Sequence, residues 1–382
     1  MERYQYKSVY CLRFIFALLI VFCHLFIITS VYSNPIFDFI DLHRRAAGYA
    51  VNFFFILSGF FFAYTLDISQ DTFVYIKKRL ARLWPVVAFY TVCLICMDNW
   101  HMPAAEGDFY HRIYSLFLLN GIGLTNLNDG VSWFVSALFF SSLFIFYLYK
   151  SFSNKIANFV LGIIVLFCFI ILANAGDIPS LHYTVLYKVF PIPILRGVGG
   201  MGLGVFLFYT YSYFNKTNIK KQNNQDILLY GFAEIFLLLY SIYLVTFAKW
   251  DNDNIVIICY LLLLYVFLLN KGFLSRLLDN NFSVALGKYS YSIFLTHILI
   301  IFLTVYLVDL NNPLVFNHAL LFIILLYLVI IGFGIITYHF IEKPTNNFYN
   351  KVGFKIYYLV IFGSILILSS FAYIAHNLFL QM

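Results

Sequence analysis

His318–Ile341 reads HALLFIILLYLVIIGFGIITYHFI, a run without lysine, arginine, aspartate or glutamate. A helix needs about 20 apolar residues to cross a bilayer core, and this run is long enough. The chain of 382 residues continues the pattern, with 63% hydrophobic and 11% charged residues, whereas soluble domains carry about 25% charged residues. So few polar residues cannot cover a soluble surface. The sequence predicts an all-α polytopic membrane protein and excludes a cytosolic enzyme, a secreted disulfide scaffold and a disordered chain.

The same criterion of length and apolarity predicts eleven spans. In chain order they are Tyr10–Val31, Ala50–Leu66, Arg82–Met97, Val131–Tyr149, Ala157–Ala173, Leu195–Phe214, Ile227–Phe247, Ile255–Asn270, Ala285–Val308, His318–Ile341 and Ile356–Leu378. The first span lacks the small residues of a signal-peptide cleavage site and is expected to remain as a helix. Phe109–Asn120 is shorter and contains Arg112, which predicts an interfacial helix. No attached soluble domain is expected.

The distribution of basic residues predicts the orientation of these spans. With the N-terminus in the cytoplasm, 18 of the 24 lysine and arginine residues fall on the cytoplasmic side and six on the other. Cytoplasmic loops of membrane proteins carry such an excess. The sequence therefore predicts a cytoplasmic N-terminus. The same loops account for the net charge of +7, so no nucleic-acid partner is expected.

Two ionisable side chains in the first predicted span, Arg13 and His24, are candidates for chemistry, because such groups are costly in a bilayer. Eleven residues apart, they lie within about 20° of one helix face with a rise of about 16.5 Å. Guanidinium favours phosphate, and imidazole is the usual general base near neutral pH. An elongated anionic ligand could place its charged end at Arg13 and its reactive end at His24 along this helix face. The alternative is that Arg13 reaches lipid headgroups and His24 bonds a neighbouring helix.

Other polar or glycine positions in the apolar segments allow both functional and packing interpretations. Arg79 and Arg82 share a helix face and would suit either a phosphate clamp or lipid headgroups. His297 and Glu234 are further ionisable residues in predicted spans, and Arg196 lies at the external edge of one. Ser58-Gly59 and the glycines of Gly197–Gly204 indicate close helix packing. The latter also match a dinucleotide-binding pattern, which would have to open a crossover helix after a strand, but here they lie inside a membrane segment, so that interpretation is rejected.

Five motifs, in order along nearly the whole chain, resemble acyltransferase family 3, which includes bacterial surface-polysaccharide O-acetyltransferases. Each resembles one family segment: Arg13 with His24, Phe54–Phe60 (FFILSGF), Arg79–Pro85 (RLARLWP), Tyr289–His297 (YSYSIFLTH) and Ile341–Pro344 (IEKP). The resemblance implies ten core helices in a domain spanning residues 1–344. Residues 345–382 would then form an additional C-terminal helix.

The same resemblance implies an activity and a set of site residues. A cytoplasmic acyl-CoA, with acetyl-CoA expected, would bind its phosphates to Arg13, Arg79 and Arg82, and His24 would act on the acyl group. The acceptor would be a glycan hydroxyl across the bacterial inner membrane, and no metal is expected. Apart from what the resemblance assigns, candidate substrate or oxyanion contacts are Asn52, Ser58, Trp133, Arg196 and His297.

The chain departs from the family pattern in its fourth helix. Many members have Trp-Ser-x-Ser-x-Glu there, whereas this chain has Trp133 and places Leu138 at the glutamate position. The identity of the acceptor and the choice of acetyl or succinyl donor stay open. The chain stops short of the esterase-like domain of some members, so a separate periplasmic partner or a homo-oligomer is also open. A transporter or flippase for a glycan precursor is the alternative function, although the internal repeats typical of transporters are not evident.

Overall fold

A computed structural model gives the architecture of the chain. The structure describes residues 6–25, 28, 48–99, 109–124, 130–175, 185–186, 189–217, 224–246, 253–309 and 312–352. Within these residues the protein consists of helices and one two-stranded ladder. The predicted eleventh span, Ile356–Leu378, lies outside the described residues, as does the end of the first span beyond Ile28.

The described helices follow the apolar runs of the sequence. They are α1 (Lys7–His24), α2 (Ala50–Tyr64), α3 (Thr72–Asn99), α4 (Phe109–Leu116), α5 (Ser132–Ser151), α6 (Asn154–Asn174), α7 (Ile192–Thr217), α8 (Asn224–Thr246), α9 (Asp253–Leu269), α10 (Phe273–Leu277), α11 (Asn281–Leu307), α12 (Pro313–Asn317), α13 (Ala319–Thr337) and α14 (Lys343–Val352). A π-helical turn, Tyr338–Glu342, joins the last two. Strand β1 (Val185–Leu186) pairs antiparallel with β2 (Phe190–Pro191).

The prediction of an all-α polytopic membrane protein is confirmed. Among the described residues, seven helices are long and apolar enough to cross a membrane, and each overlaps a predicted span. The predicted spans Ala50–Leu66 and Ile255–Asn270 coincide with shorter apolar helices. Helix α1 begins at Lys7 and covers the first predicted span as far as His24. The total number of spans and the cytoplasmic N-terminus stay predictions.

The chain divides into two compact units. Unit 1 comprises Met1–Cys23, Leu42–Ser69 and Phe140–Tyr291, and unit 2 comprises His24–Asp41, Gln70–Phe139 and Ser292–Met382. The boundary between them falls within α1, α5 and α11. Each unit is described by itself below.

In unit 1, α2 and α7 pack closely along a glycine seam, as the sequence predicts. A Cβ atom on Gly204 would lie 1.9 Å from the Ile56 carbonyl oxygen, and one on Gly59 would lie 1.9 Å from that of Met201. Only glycine permits this approach of two backbones. The dinucleotide-like glycines therefore lie inside a helix, in agreement with the rejection of that motif.

Glu234, in α8 of unit 1, has a structural role in the described contacts. Its side chain is fully buried, and its two carboxylate oxygens accept hydrogen bonds from the backbone N–H groups of Gly272 (3.2 Å) and Ser275 (2.9 Å). These groups belong to the first turn of α10, whose N–H groups have no partner within the helix. Glu234 therefore caps α10 and joins it to α8.

In unit 2, the predicted interfacial segment contains the helix α4, which folds back along α3. The indole Nε1 of Trp84 donates to the Leu116 carbonyl oxygen (2.7 Å), and α3 continues for about 22 Å beyond Trp84. Arg112 is buried. The location of α4 at a membrane interface stays a prediction, while its packing along α3 is a contact that hydropathy does not show.

Residues 118–121 continue this fold-back with irregular backbone, whose polar groups bond to side chains at the start of α5. Leu118 has a positive φ of 59°, and the Ser136 hydroxyl donates to its carbonyl oxygen. Ser136 also accepts the Gly121 N–H (3.0 Å), and the Asn120 side chain donates to the Ser132 hydroxyl (2.7 Å). These bonds hold the segment against the start of α5, since buried backbone groups need partners.

The glycine seam of unit 1 gives a direct test of this packing. Gly204→Ala would force a methyl group into the Ile56 carbonyl, so we expect a fall in Tm of about 5 °C or more. The matched control is Gly332→Ala in α13, where an added Cβ meets nothing within 4 Å. Thermal unfolding in detergent would be measured for both variants. Equal stability of the two would contradict the packing described.

Candidate functional site

The structure brings two predicted site residues, His24 and His297, into direct contact in unit 2. Nδ1 of His24, at the end of α1, lies 3.2 Å from Nε2 of His297 in α11. Nδ1 of His297 lies 3.3 Å from the Ile293 carbonyl oxygen, one turn earlier in its own helix. His297 is fully buried, and His24 is partly exposed. His24 is therefore the more accessible member of the pair.

Aromatic side chains of unit 2 lie beside His297, the buried member of the histidine pair. The Phe294 ring centroid lies 6.2 Å from that of His297 and 5.2 Å from that of Phe134, near the start of α5. Trp133 precedes Phe134 and is buried, with only 6% of its surface exposed. The predicted substrate contact Trp133 thus lies within the packed interior of unit 2. Leu138, at the position of the family glutamate, is also buried.

The start of α5 approaches the same part of α11. Gly130 has a positive φ of 69°, and a Cβ there would lie 2.5 Å from the Tyr90 hydroxyl and 3.6 Å from the side chain of Ile298. Ile298 directly follows His297 in the sequence. A side chain at Gly130 would therefore clash with the Tyr90 hydroxyl of α3, while it would make an ordinary van der Waals contact with Ile298.

In unit 1, the structure brings together Asn52 and Arg196, another two of the predicted site residues. The Arg196 Nε donates to the Asn52 side-chain oxygen (3.1 Å), and its Nη2 donates to the Gly48 carbonyl oxygen (3.1 Å). Arg196 is only 3% exposed and Asn52 only 8%. The guanidinium is therefore held in a defined orientation beside the first turn of α2. Ser58, one and a half turns further along α2, is half-buried.

The predicted phosphate-binding arginines lie on α1 and α3. Arg79 donates from Nε to the Tyr75 hydroxyl (3.0 Å), and its guanidinium lies 5.6 Å from the centre of the Tyr75 ring. Arg13 has a similar neighbour, with its guanidinium 5.5 Å from the centre of the Tyr10 ring. Arg82, one turn beyond Arg79, is exposed. Arg79 and Arg82 belong to unit 2, whereas Arg13 belongs to unit 1.

One polar contact of unit 2 was not predicted, although both residues belong to quoted motifs. The Ser292 hydroxyl donates to a carboxylate oxygen of Glu342 (2.6 Å). Glu342 lies in the π-helical turn, a local geometry that is frequent at functional sites. The motifs mark both residues, but nothing in a single sequence pairs positions so far apart.

The arrangement of the two imidazoles in unit 2 is suited to proton transfer. Among the described residues, no group of three or more histidine, cysteine, aspartate or glutamate side chains could hold a metal ion. Two imidazoles joined by a hydrogen bond can accept a proton at the exposed member and share it with the buried one.

The Asn52–Arg196 contact predicts energetic coupling within unit 1. Asn52→Ala and Arg196→Gln should each lower Tm, while the double variant should lose less than the sum, because the second change removes a bond that is already lost. Asn52→Ala combined with Asn174→Ala is the control pair, since the Asn174 side chain bonds only its own helix at Ile170 in the described contacts. Additive Tm losses for both pairs would contradict the contact.

Comparison with known proteins identifies the family. A family model described as an acyltransferase domain, that of acyltransferase family 3, matches residues 6–339. No curated protein and no solved structure gives a match. The matched range contains Arg13, His24, Arg79, Arg82 and His297, and it covers most of the described helices. The chain belongs to acyltransferase family 3.

Proposed function

We propose that this membrane acyltransferase transfers an acetyl group from cytoplasmic acetyl-CoA to a hydroxyl group of a surface polysaccharide or related glycan. Transfer would occur across the bacterial inner membrane, with the glycan on the extracytoplasmic side. The observation that carries the proposal is the contact between His24 and His297. It gives a partly exposed imidazole a fixed hydrogen-bond partner inside apolar helices of an acyltransferase.

The donor would bind through arginine residues. Coenzyme A carries several phosphate groups, and guanidinium groups bind phosphate through paired, charge-assisted hydrogen bonds. Arg79 and Arg82 lie one turn apart on α3, and the Tyr75 hydroxyl fixes the Nε of Arg79. Arg13 lies about 16.5 Å before His24 along α1. This length suits a ligand with a charged end and a reactive end, such as coenzyme A with its pantetheine arm.

His24 would act as the general base. The imidazole removes the proton of the acceptor hydroxyl while the hydroxyl oxygen attacks the carbonyl carbon of the thioester. As the tetrahedral intermediate collapses, the carbon–sulfur bond breaks and the thiolate of coenzyme A takes the proton from His24. The products are an O-acetylated glycan and free coenzyme A. Transient acylation of His24 is a second route to the same products.

The remaining predicted residues would contact substrate. The buried guanidinium of Arg196, held by Asn52, is a donor that could stabilise negative charge on a substrate oxygen. Ser58 and Trp133 stay candidates for acceptor contacts. The enzyme would act as an integral protein of the bilayer, and no resident metal is part of the proposal.

Arginine substitution tests how the donor is bound. Arg79→Ala should raise the Kd for acetyl-CoA about tenfold, the effect expected from losing charge-assisted hydrogen bonds. Lys78→Ala is the matched control, because Lys78 is an exposed cation of the same cluster on a different helix face. Calorimetric titration of detergent-solubilised protein would give both constants. Equal losses in the two variants would indicate a diffuse charge effect and contradict a specific arginine contact.

Reconstitution tests the complete reaction. Proteoliposomes with acetyl-labelled acetyl-CoA on one side and a glycan acceptor on the other should yield labelled glycan across the bilayer. With His24→Ala, the rate should fall about 10³-fold, because general-base catalysis is lost. Movement of glycan across the bilayer without acetylation, unchanged in His24→Ala, would favour the transporter and overturn the acyltransfer proposal.

A further inference from the structure

We propose that His297 is a positioning residue that fixes the tautomer of His24 and makes Nε2 of His24 the atom that accepts the substrate proton. This inference rests on the proposed function and extends it to a second residue with a defined role. It replaces the expectation that His297 contacts the oxyanion, since His297 is fully buried and its two ring nitrogens lie against Ile293 and His24.

The tautomers follow from the two contacts of His297. The Ile293 carbonyl oxygen can only accept a hydrogen bond, so Nδ1 of His297 carries the proton in the 3.3 Å contact. A neutral imidazole has one N–H group, so Nε2 of His297 is the acceptor in the 3.2 Å contact with His24. Nδ1 of His24 is therefore the donor in that contact. Nε2 of His24 is then the unprotonated nitrogen of the ring, and its lone pair can accept a proton.

The opposite tautomer of His297 is disfavoured by the same geometry. Its Nδ1 would then face the Ile293 carbonyl oxygen with two lone pairs opposed, and the carbonyl would lose a donor. A positively charged His297 would satisfy both contacts, but it would place a full charge in a fully buried position among apolar rings and helices. The neutral form with the proton on Nδ1 is the resting state that the contacts support.

Helix α13 packs against the turn of α11 that carries Ile293. A Cβ atom on Gly334 would lie 2.3 Å from the Ile293 side chain and 2.9 Å from its Cα, so the two helices touch at this point. The neighbouring Ser292 donates to Glu342, just beyond α13. The carbonyl that orients His297 therefore belongs to a turn fixed by packing and by a hydrogen bond, as a positioning role requires.

The proton path follows from this order of donors and acceptors. Nε2 of His24 takes the acceptor hydroxyl proton, while Nδ1–H of His24 stays bonded to Nε2 of His297. The positive charge that develops on His24 is stabilised by the lone pair of His297. Breakage of the carbon–sulfur bond then returns the proton from His24 to the thiolate of coenzyme A, and both imidazoles regain their resting tautomers.

Two substitutions of His297 test this role. The Oε1 atom of glutamine can occupy the place of Nε2 and accept from His24, whereas asparagine reaches only the place of Nδ1. His297→Asn should lower kcat for coenzyme A release about 10²-fold, with the Kd for acetyl-CoA changed less than twofold. The kcat of His297→Gln should be at least tenfold higher than that of His297→Asn. Equal kcat values for the two variants, or a loss confined to donor binding, would overturn the positioning role.

The tautomer itself can be measured without turnover. In ¹⁵N NMR spectra of protein labelled with ¹⁵N-histidine, the signals of His24 are identified as those missing from the spectrum of His24→Gln. At neutral pH these signals should show a protonated Nδ1 and an unprotonated Nε2. Protonation at Nε2 instead would overturn the inference even if the enzyme is active. If the tautomer is found but no acetyl group is transferred, the arrangement of the pair stands, and both the proposed function and the catalytic role of His297 fail.

Discussion

A polar side chain inside an apolar helix has lost water and must find a partner within the protein, or its burial costs free energy. This constraint organises both units. His24 meets His297, Arg196 meets Asn52, and the Glu234 carboxylate meets the N–H groups of α10. The first pair differs from the others because one member remains partly exposed. The proposed role of His24 as a base rests on this combination of a fixed partner and partial exposure.

Close backbone packing makes these pairings possible. The glycine seam between α2 and α7 brings two helices of unit 1 together near the turn that carries Asn52. In unit 2, Gly334 brings α13 against Ile293, whose carbonyl orients His297. In both units, small residues set the distance between helices, and polar side chains near the contact receive a fixed orientation. The orientation of these polar side chains therefore depends on glycine positions.

Much of this architecture could be predicted from the sequence, because hydropathy and helical periodicity act along the chain. The apolar runs gave most of the helices, and the glycine spacing gave the close packing of α7. The partners across helices could not be predicted, since periodicity shows which residues share a face but not which faces meet. Asn52 with Arg196 and Ser292 with Glu342 are such pairs. The fold-back of α4 was missed for the same reason, because the bond from Trp84 to Leu116 leaves no trace in hydropathy.

The histidine pair of this acyltransferase is proposed to move an acetyl group from coenzyme A to a hydroxyl. A single turnover of purified protein with acetyl-labelled acetyl-CoA and a glycan acceptor, beside His24→Ala, tests this role. The wild-type protein should release free coenzyme A, and the His24→Ala protein should bind the donor without releasing it. Label that survives denaturation of the wild-type protein would identify the acyl-histidine route. Equal release of coenzyme A by the two proteins, or no donor binding by either, would contradict the account.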